Sequence, residues 1–170
     1  RIMGTTFSLG VIFIDALKGF IAVKFVPSLA LGGILSTNSI DIELLNIVCG
    51  IGVVMGHVYP IYHRLKGGKG AGTMVGVLAA LFPMYLIIGL PIWLMVLIFS
   101  GYVGLSTIIA GIILPISSAF YFEGGFGTPF GIFTMIISLF IIFTHRSNIR
   151  RMLDGNENRF EEAMIFRKKT

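Results

Sequence analysis

The stretch Arg64-Leu65-Lys66-Gly67-Gly68-Lys69-Gly70-Ala71-Gly72-Thr73 is a glycine-rich, lysine-bearing loop set between two apolar runs. Its successive glycines allow backbone amides to turn toward a single anion, and Lys66 and Lys69 add positive charge. If Gly70 to Thr73 open the next helix, the amides of its first turn point at the same anion. The loop is therefore predicted to hold a phosphate group. The alternative is a flexible basic turn that only obeys the positive-inside rule.

Nucleotide-binding motifs fit this loop badly. A Walker A loop requires Ser or Thr directly after its Gly-Lys pair, whereas Gly70 follows Lys69 here. A dinucleotide fingerprint beginning at Gly68 would need glycine where Thr73 stands, and neither motif has a soluble strand before it. The loop is thus not assigned to a nucleotide.

The composition is that of a polytopic membrane protein. Hydrophobic residues make up 55% of the 170 residues, charged residues make up only 12%, and the mean hydropathy is +0.93. The net charge of +5 does not indicate nucleic acid, because the basic residues cluster in short loops and the tail, as membrane topology requires. Cys49 is the only cysteine and lies in an apolar run. It predicts no disulfide and no thiolate metal site, and gives little support to a cysteine nucleophile.

The apolar segments predict an all-α polytopic membrane protein with about six transmembrane helices, since each span needs about 20 mainly apolar residues. Proline interrupts one long apolar run, so the turn between the third and fourth helices is placed near Pro83 to Gly89. Residues 1–170 are interpreted as a single membrane domain, in which residues 146–170 form a basic cytoplasmic segment. The predicted spans are Thr6 to Val26, Ile42 to Tyr62, Thr73 to Ile88, Leu90 to Ser100, Val103 to Phe122 and Pro129 to Thr144.

The charged loops give one consistent orientation. Arg64, Lys66 and Lys69 place the central loop in the cytoplasm, and six alternating spans then place Arg1 and the basic tail on the same side. The loops on the opposite side carry acidic residues and no Lys or Arg. We therefore expect Arg1, the glycine loop and the tail to meet at one cytoplasmic face.

Several ionisable residues fall inside predicted spans, where charge is costly, and three of them bear on the site. Asp15 and Lys18 are one helical turn apart and can neutralise each other, which favours a structural ion pair over a polar pocket. His57 lies about two turns before the glycine loop. It is a candidate for the site, and the alternative is a buried histidine satisfied by a neighbouring carbonyl.

A third polar feature follows the last predicted span. At about 100° per residue, His145, Asn148 and Arg151 share one face of a short helix that Gly155 can end. This face carries an imidazole, an amide and a guanidinium at the membrane surface. The positive-inside rule asks only for Lys or Arg, so the His and Asn require another explanation.

Together these segments resemble the bacterial acyl-phosphate:glycerol-3-phosphate acyltransferase family, known as PlsY. The matching pieces occur in the family's order and span nearly the whole chain. They are Asp15 with Leu17-Lys18-Gly19, then Gly56-His57-Val58-Tyr59-Pro60, then Lys66-Gly67-Gly68-Lys69-Gly70, and finally the run from His145 to Glu157. The resemblance implies a bacterial inner-membrane enzyme of about seven helices with its catalytic face in the cytoplasm. It would move a fatty acyl group from acyl phosphate to the 1-position of glycerol 3-phosphate, giving lysophosphatidic acid.

The chemistry of that reaction suggests roles for these residues. Lys69 and the loop amides would stabilise charge on the leaving phosphate. His145 is the first candidate for the base or for orienting the attacking hydroxyl, and His57 is the second; the substrate's own phosphate is the alternative base. Without a nucleophile elbow or a reactive thiol, direct attack is favoured over an acyl-enzyme. The residues expected to bind substrate are Arg1, Lys66, Gly67, Gly68, Gly70, Arg146, Asn148, Arg151 and Glu157.

The expected partners are the two substrates, acyl phosphate and glycerol 3-phosphate, together with membrane lipid. No metal is expected, because no carboxylates or histidines cluster at ligand spacing, and no cofactor or nucleic acid is expected either. The protein is expected to be a monomer.

The chain departs from the family pattern in two places. The family's first motif, Ser-Gly-Asn-x-Gly-x-Thr-Asn, is absent, and Arg1 looks like the arginine that follows it. We therefore expect that the chain has lost its first helix and this motif. Gly104 stands where a small hydroxyl residue is expected.

Two other classes of function are considered. One is a transporter or binding protein for an anionic phosphorylated solute. Against it, the ionisable groups concentrate at one face and not at a midplane site between inverted repeats. The other is a structural membrane subunit, which leaves the glycine loop and the His-Asn-Arg face unexplained.

Overall fold

The computed structural model describes residues 4–33, 41–121 and 123–165, and these ranges are α-helical with no β-strand. Short 3-10 turns lie at Ile61–His63, Gly125–Gly127 and Glu161–Ala163. The helices are α1 (Gly4–Lys24), α2 (Val26–Gly33), α3 (Ile42–Val58), α4 (Ala71–Leu81), α5 (Pro83–Ser100), α6 (Val103–Tyr121), α7 (Pro129–Thr144) and α8 (Arg146–Leu153).

The chain divides after Pro83 into two compact units, and in the first of them α1 packs closely on α4. Two glycines make this approach possible. A methyl group at Gly19 would collide with the carbonyl oxygen of Thr73, and a methyl group at Gly76 would collide with that of Ala16. Small residues at a helix interface let two backbones approach in this way, as they do in membrane bundles.

Helix α3 completes the first unit by packing against both of these helices. Gly50 of α3 faces Val77 of α4, whose methyl group would lie 2.9 Å from a Cβ at Gly50. Val23, Val54 and Val77 are almost fully buried at this junction. The core therefore fixes the C-terminal end of α3 beside the N-terminal half of α4, and the glycine loop joins these two ends.

The second unit is built on the pairing of α6 with α7. Its interior contains Leu114 and Phe133, both nearly inaccessible, and a hydroxyl pair in which Ser118 Oγ lies 3.1 Å from Thr134 Oγ1. Hydroxyl groups buried in an apolar interior need such partners, because an unmatched polar group is costly there. Helix α8 follows α7 after a bend of 50°.

The observed break between α4 and α5 lies at Phe82, at the N-terminal edge of the region Pro83 to Gly89 where the turn was predicted. The segments Thr73 to Ile88 and Leu90 to Ser100 were both wrong in their bounds, because α4 ends at Leu81 and α5 already begins at Pro83. A residue before proline disfavours the helical conformation, and Phe82 accordingly has φ −145° and ψ 68°. Proline itself is accepted at the first position of a helix, so Pro83 starts α5.

The first predicted span was also wrong at its C-terminal end. Thr6 to Val26 was expected to be one helix, but α1 ends at Lys24 and α2 begins at Val26 after a turn at Phe25. Apolar composition continues through this turn, so hydropathy alone does not reveal it. The span predicted at Pro129 to Thr144, in contrast, coincides with α7.

Three helical segments within the described ranges are long and apolar enough to cross a membrane. They are Ile42–His63, Pro83–Ser100 and Val103–Tyr121, and the bent pair of α7 and α8 makes a fourth if it is counted as one broken span. Helix α4 is apolar but has only 11 residues. The prediction of about six spans thus stays a prediction.

Candidate functional site

The glycine loop folds back onto the C-terminal end of α3. The backbone N–H of Gly67 donates to the carbonyl of Val58 at 3.0 Å, and that of Gly68 donates to the carbonyl of His57 at 3.3 Å. The preceding turn reverses the chain through Arg64 and Leu65, which both have left-handed φ, at 54° and 61°. The loop is therefore an ordered structure held by the last carbonyls of α3.

Glycine is required at two positions of this loop because the backbone approaches α3 so closely. A methyl group at Gly67 would collide with the carbonyl oxygen of His57, and a methyl group at Gly68 would collide with Nε2 of the same residue. The amides of both glycines are already donors to α3 carbonyls. Their role in shaping the loop is shown, and their predicted contact with substrate stays a prediction.

The loop ends where α4 begins. Gly70 occupies the position before the first helical residue with φ 84°, a left-handed conformation that glycine adopts without strain. The first N–H groups of any α-helix lack partners within the helix, and glycine has no side chain to cap them. In the same turn the Oγ1 of Thr73, which is fully buried, has no hydrogen-bond partner within the described part of the chain.

The two lysines of the loop differ in their environment. Lys66 is exposed, and its backbone N–H donates to the carbonyl of His63 at 3.1 Å. Lys69 is half-buried. In the sequence it lies between Gly68, which packs on His57, and Gly70, which precedes α4. Of the two, Lys69 is therefore the lysine that the loop holds more firmly.

Next to the loop, three ionisable side chains form a compact cluster. The Lys18 ammonium lies 2.5 Å from Oδ1 of Asp15 and 2.6 Å from Nδ1 of His57. The same Asp15 oxygen lies 3.5 Å from Nδ1 of His57. The predicted ion pair between Asp15 and Lys18 is confirmed, and His57 joins it from α3.

The cluster determines which nitrogen of His57 carries the proton. An ammonium group donates hydrogen bonds and cannot accept one, so Nδ1 of His57 accepts from Lys18. In the neutral imidazole the proton then resides on Nε2, the atom against which Gly68 packs.

In the second unit, Glu157 joins two residues of the predicted polar face. Its Oε1 accepts from Nδ2 of Asn148 at 3.0 Å, and its Oε2 accepts from Nε of Arg151 at 2.7 Å. Asn148 is only 5% exposed, and the Glu157 side chain is 9% exposed. The carboxylate therefore holds the amide and the guanidinium in one fixed arrangement.

His145 lies at the bend between α7 and α8 and is 3% exposed. Its Nδ1 lies 2.8 Å from the carbonyl oxygen of Ile141 and 3.3 Å from Oγ1 of Thr144. A carbonyl only accepts, so Nδ1 carries a proton and Nε2 is the acceptor nitrogen of the neutral ring. The proton is thus on Nδ1 in His145 and on Nε2 in His57.

Two further predicted site residues have different positions. The guanidinium of Arg146 donates to the backbone carbonyl of Phe143 at 2.9 Å. It also lies 4.3 Å from the centre of the Phe143 phenyl ring, so it turns back toward α7. Arg1 lies outside the described residues. Substrate binding by either arginine stays a prediction.

The contacts of the segment that follows α8 were not predicted from the sequence. The Phe160 N–H donates to the Gly101 carbonyl at 2.7 Å, and Nε of Arg159 donates to the Tyr102 hydroxyl at 3.0 Å. These contacts hold residues 156–165 against the turn between α5 and α6. Because Glu157 belongs to this segment, they also restrain its position. The available sequence signal was a glycine at position 101, where the structure shows a left-handed φ and where a methyl group would lie 2.7 Å from the sulfur of Met164.

The sequence is similar to those of known glycerol-3-phosphate acyltransferases. The sequence profile of the glycerol-3-phosphate acyltransferase family matches residues 1–155. A glycerol-3-phosphate acyltransferase of Chlorobium phaeobacteroides is 34% identical to this chain over an alignment of 187 positions. The alignment covers 95% of this chain and 78% of the relative. Another from Salinibacter ruber is 36% identical over 162 residues, covering 88% of this chain and 70% of the relative.

Two solved structures are similar to this chain over nearly its whole length. Both are crystal structures of PlsY (YgiH), described as an integral membrane glycerol 3-phosphate acyltransferase. The glycerol 3-phosphate form has a TM-score of 0.75 and 33% identity, and covers 94% of this chain and 74% of that one. The lysophosphatidic acid form has a TM-score of 0.75 and 32% identity, and covers 95% and 77%. The likeness to an integral membrane protein confirms the predicted all-α polytopic membrane fold.

Proposed function

The chain belongs to the glycerol-3-phosphate acyltransferase family, and on this premise we propose that it acylates the 1-position of glycerol 3-phosphate with a fatty acyl group from acyl phosphate. The products are lysophosphatidic acid and inorganic phosphate, and the reaction begins phospholipid synthesis. The two similar solved structures, described as the glycerol 3-phosphate and lysophosphatidic acid forms of PlsY, support this substrate and this product.

The observation that carries the proposal is the glycine loop on the end of α3. Gly67 and Gly68 pack so closely on His57 that the following residues, Lys69 and Gly70, leave the end of α3 in a fixed direction. The loop then enters the N-terminus of α4, where helix amides favour an anion. A cation followed directly by a helix N-terminus suits the phosphate of an acyl phosphate.

Lys69 has the central role in this proposal. An acyl phosphate is already activated, and its phosphate leaves well if the charge that develops on it is stabilised. The ammonium of Lys69 supplies that charge, and the first-turn amides of α4 add partial positive charge. Lys66, Gly67, Gly68 and Gly70 are proposed to complete the substrate-binding loop.

The step is a direct transfer. The 1-hydroxyl oxygen of glycerol 3-phosphate attacks the acyl carbon, and an ester bond forms while the bond from that carbon to the phosphate oxygen breaks. Phosphate leaves with the electron pair, and the hydroxyl proton passes to a base. Cys49, the only thiol of the chain, lies within α3 among apolar residues, which supports a mechanism without an acyl-enzyme.

His145 is proposed to orient the attacking hydroxyl or to accept its proton. The hydrogen bond to the Ile141 carbonyl protonates Nδ1 and makes Nε2 the acceptor, which is the state a base requires. In His57 the corresponding nitrogen, Nε2, already carries a proton. The proton arrangement therefore favours His145 over His57 as the base, with the substrate's own phosphate as the alternative.

Asn148 and Arg151 are proposed to hold glycerol 3-phosphate, with Arg146 and Arg1 as further cations. Glu157 neutralises part of the Arg151 charge and accepts from Asn148, so it orients both groups. A guanidinium fixed by one carboxylate still has other N–H donors for a phosphate. The protein is further proposed to act as a monomer at the cytoplasmic face of a bacterial inner membrane.

Reconstitution of the purified full-length protein in liposomes tests the proposed function. The protein is supplied with labelled glycerol 3-phosphate and either acyl phosphate or acyl-CoA, and lysophosphatidic acid is separated and counted. We expect product from acyl phosphate and none from acyl-CoA, because the proposed cradle of Lys69 and the α4 amides suits a bare phosphate. Turnover with acyl-CoA alone contradicts the proposed donor. Uptake of label into sealed liposomes without any product indicates a transporter.

A further inference from the structure

We propose that Asp15 and Lys18 are positioning residues, which hold the glycine loop and Lys69 in place through the imidazole of His57. The inference rests on the proposed function only in that the loop is taken as the phosphate site. Neither Asp15 nor Lys18 is assigned to substrate. The effect of Lys18 passes through α3, because the Lys18 ammonium contacts Asp15 and His57.

Lys18 fixes the ring of His57. A hydrogen bond of 2.6 Å from the ammonium to Nδ1 restrains the ring, and Asp15 holds the same ammonium at 2.5 Å. The side chains of Asp15 and His57 are only 20% and 17% exposed. A charge in such surroundings is costly unless it is paired, so the three groups are expected to keep this arrangement.

The fixed ring in turn supports the glycine loop. Nε2 of His57 occupies the space where a side chain at Gly68 would be, so Gly68 rests directly on the imidazole. The His57 backbone carbonyl also accepts the Gly68 N–H. Movement of the ring therefore moves Gly68, the residue just before Lys69.

Asp15 also contacts the other end of the loop directly. A methyl group at Gly72 would lie 3.1 Å from Cβ of Asp15, so the first turn of α4 packs directly on this residue. Gly68 and Gly72 lie on either side of Lys69 in the sequence. The cluster thus supports the chain both before and after the lysine proposed to meet the phosphate.

These contacts predict what removal of Lys18 does. In Lys18→Met the ring loses its donor, and Nδ1 is expected to take the proton and donate to Asp15, which lies 3.5 Å away. The ring then tilts and the loop loses its support. A displacement of about 1 Å in a positioned group can cost on the order of a hundredfold in rate, so we expect turnover to fall by about tenfold to a hundredfold.

Hydrogen–deuterium exchange of the full-length protein tests the positioning directly. The Gly67 and Gly68 amides are protected by their bonds to the α3 carbonyls. Lys18→Met should therefore speed exchange by about tenfold in peptides covering residues 64–72 and leave α6 and α7 unchanged. Asp15→Asn, which keeps the shape of the side chain, should give the same pattern more weakly.

Two comparisons separate positioning from a general loss of stability. Lys24→Met removes an exposed lysine from the same helix and should change neither exchange nor turnover. If Lys18 acts only through His57, the double variant Lys18→Met/His57→Ala should lose no more turnover than His57→Ala alone.

Three outcomes overturn the proposal. They are unchanged exchange of residues 64–72 in Lys18→Met, equal acceleration throughout the protein, and fully additive losses in the double variant. The exchange experiment needs no substrate. Local loop opening in a protein without acyltransferase activity would keep the positioning role and contradict the proposed function instead.

Discussion

Gly104 lies so close to Asn148 that a methyl group on its Cα would come within 2.7 Å of the Asn148 amide nitrogen. The glycine is therefore matched to the asparagine: the space that a side chain at position 104 would fill is taken by the Asn148 side chain. The family resemblance predicted a hydroxyl residue at position 104. In this chain such a residue would have to displace Asn148 from its position beside Glu157.

Gly104→Ala should accordingly lower activity more than stability. Replacing a helix glycine by alanine gains about 1 kcal/mol of helix propensity, whereas overpacking costs about 1–3 kcal/mol, so the two effects partly cancel in the melting temperature. Displacement of Asn148 is not compensated, and the KM for glycerol 3-phosphate should rise by about tenfold. Gly52→Ala is the matched control, because nothing lies within 4 Å of a methyl group there. Equal kinetics in the two variants would refute the role of Gly104.

Glu157→Gln should weaken both stability and substrate binding. The variant keeps a group that can accept from Asn148 but loses the charge that Arg151 pairs with at 2.7 Å. Hydrogen bonds between charged groups contribute about 1.5–3 kcal/mol, and the value here should lie at the low end because Arg151 is 42% exposed. The free energy of unfolding in denaturant measures the loss. Asp154→Asn breaks an exposed pair of 3.9 Å with Arg150 and should cost almost nothing.

Sequence patterns located individual helices well where local signals mark their ends. Helix α7 was predicted to the residue, because Thr128 caps its first turn through Gly131 and Pro129 takes the first helical position. Near Phe82, however, proline misled the prediction. A proline can either break a helix or start one, and hydropathy does not distinguish these cases.

Most of the contacts that build the site could not be predicted from the sequence. Asp15 and Lys18 are three residues apart, so their pairing follows from helical spacing, but Lys18 and His57 are 39 positions apart. That contact depends on how α1 packs beside α3. The bridging role of Glu157 likewise depends on a chain reversal after Gly155, which periodicity does not describe.

The enzyme should work without a metal ion. No group of three or more His, Cys, Asp or Glu residues in the described part of the chain could hold one. Activity measured after dialysis against EDTA should equal that of the untreated protein. Loss of activity that magnesium restores would show that a cation takes part in phosphate binding.

His145→Gln should lower kcat by about 10²- to 10⁴-fold if the imidazole moves the proton. The KM for acyl phosphate should change little, because His145 is proposed to act on the hydroxyl of the other substrate. Loss of one hydrogen bond to Ile141 costs only about 0.5–1.5 kcal/mol, so the protein should remain folded.

The pH dependence of kcat/KM then separates the two roles of His145. If the imidazole is the base, the rate of the wild type should fall on the acid side and that of the variant should not. If the substrate phosphate is the base, that fall should remain at a lower plateau. A variant within threefold or so of the wild type at every pH would exclude both roles.

The most direct test of the account is the initial rate of lysophosphatidic acid formation from acyl phosphate by Lys69→Ala in the full-length, reconstituted protein. If Lys69 meets the charge on the leaving phosphate, the rate should fall by roughly a hundredfold or more. Lys69 lies in a loop outside the apolar core, so its loss should change the free energy of unfolding by no more than about 1 kcal/mol. Lys24→Ala, in α1, should retain full activity. A well-folded Lys69→Ala protein with near-normal turnover would contradict the account, because the lysine would then mark only the cytoplasmic side of the membrane.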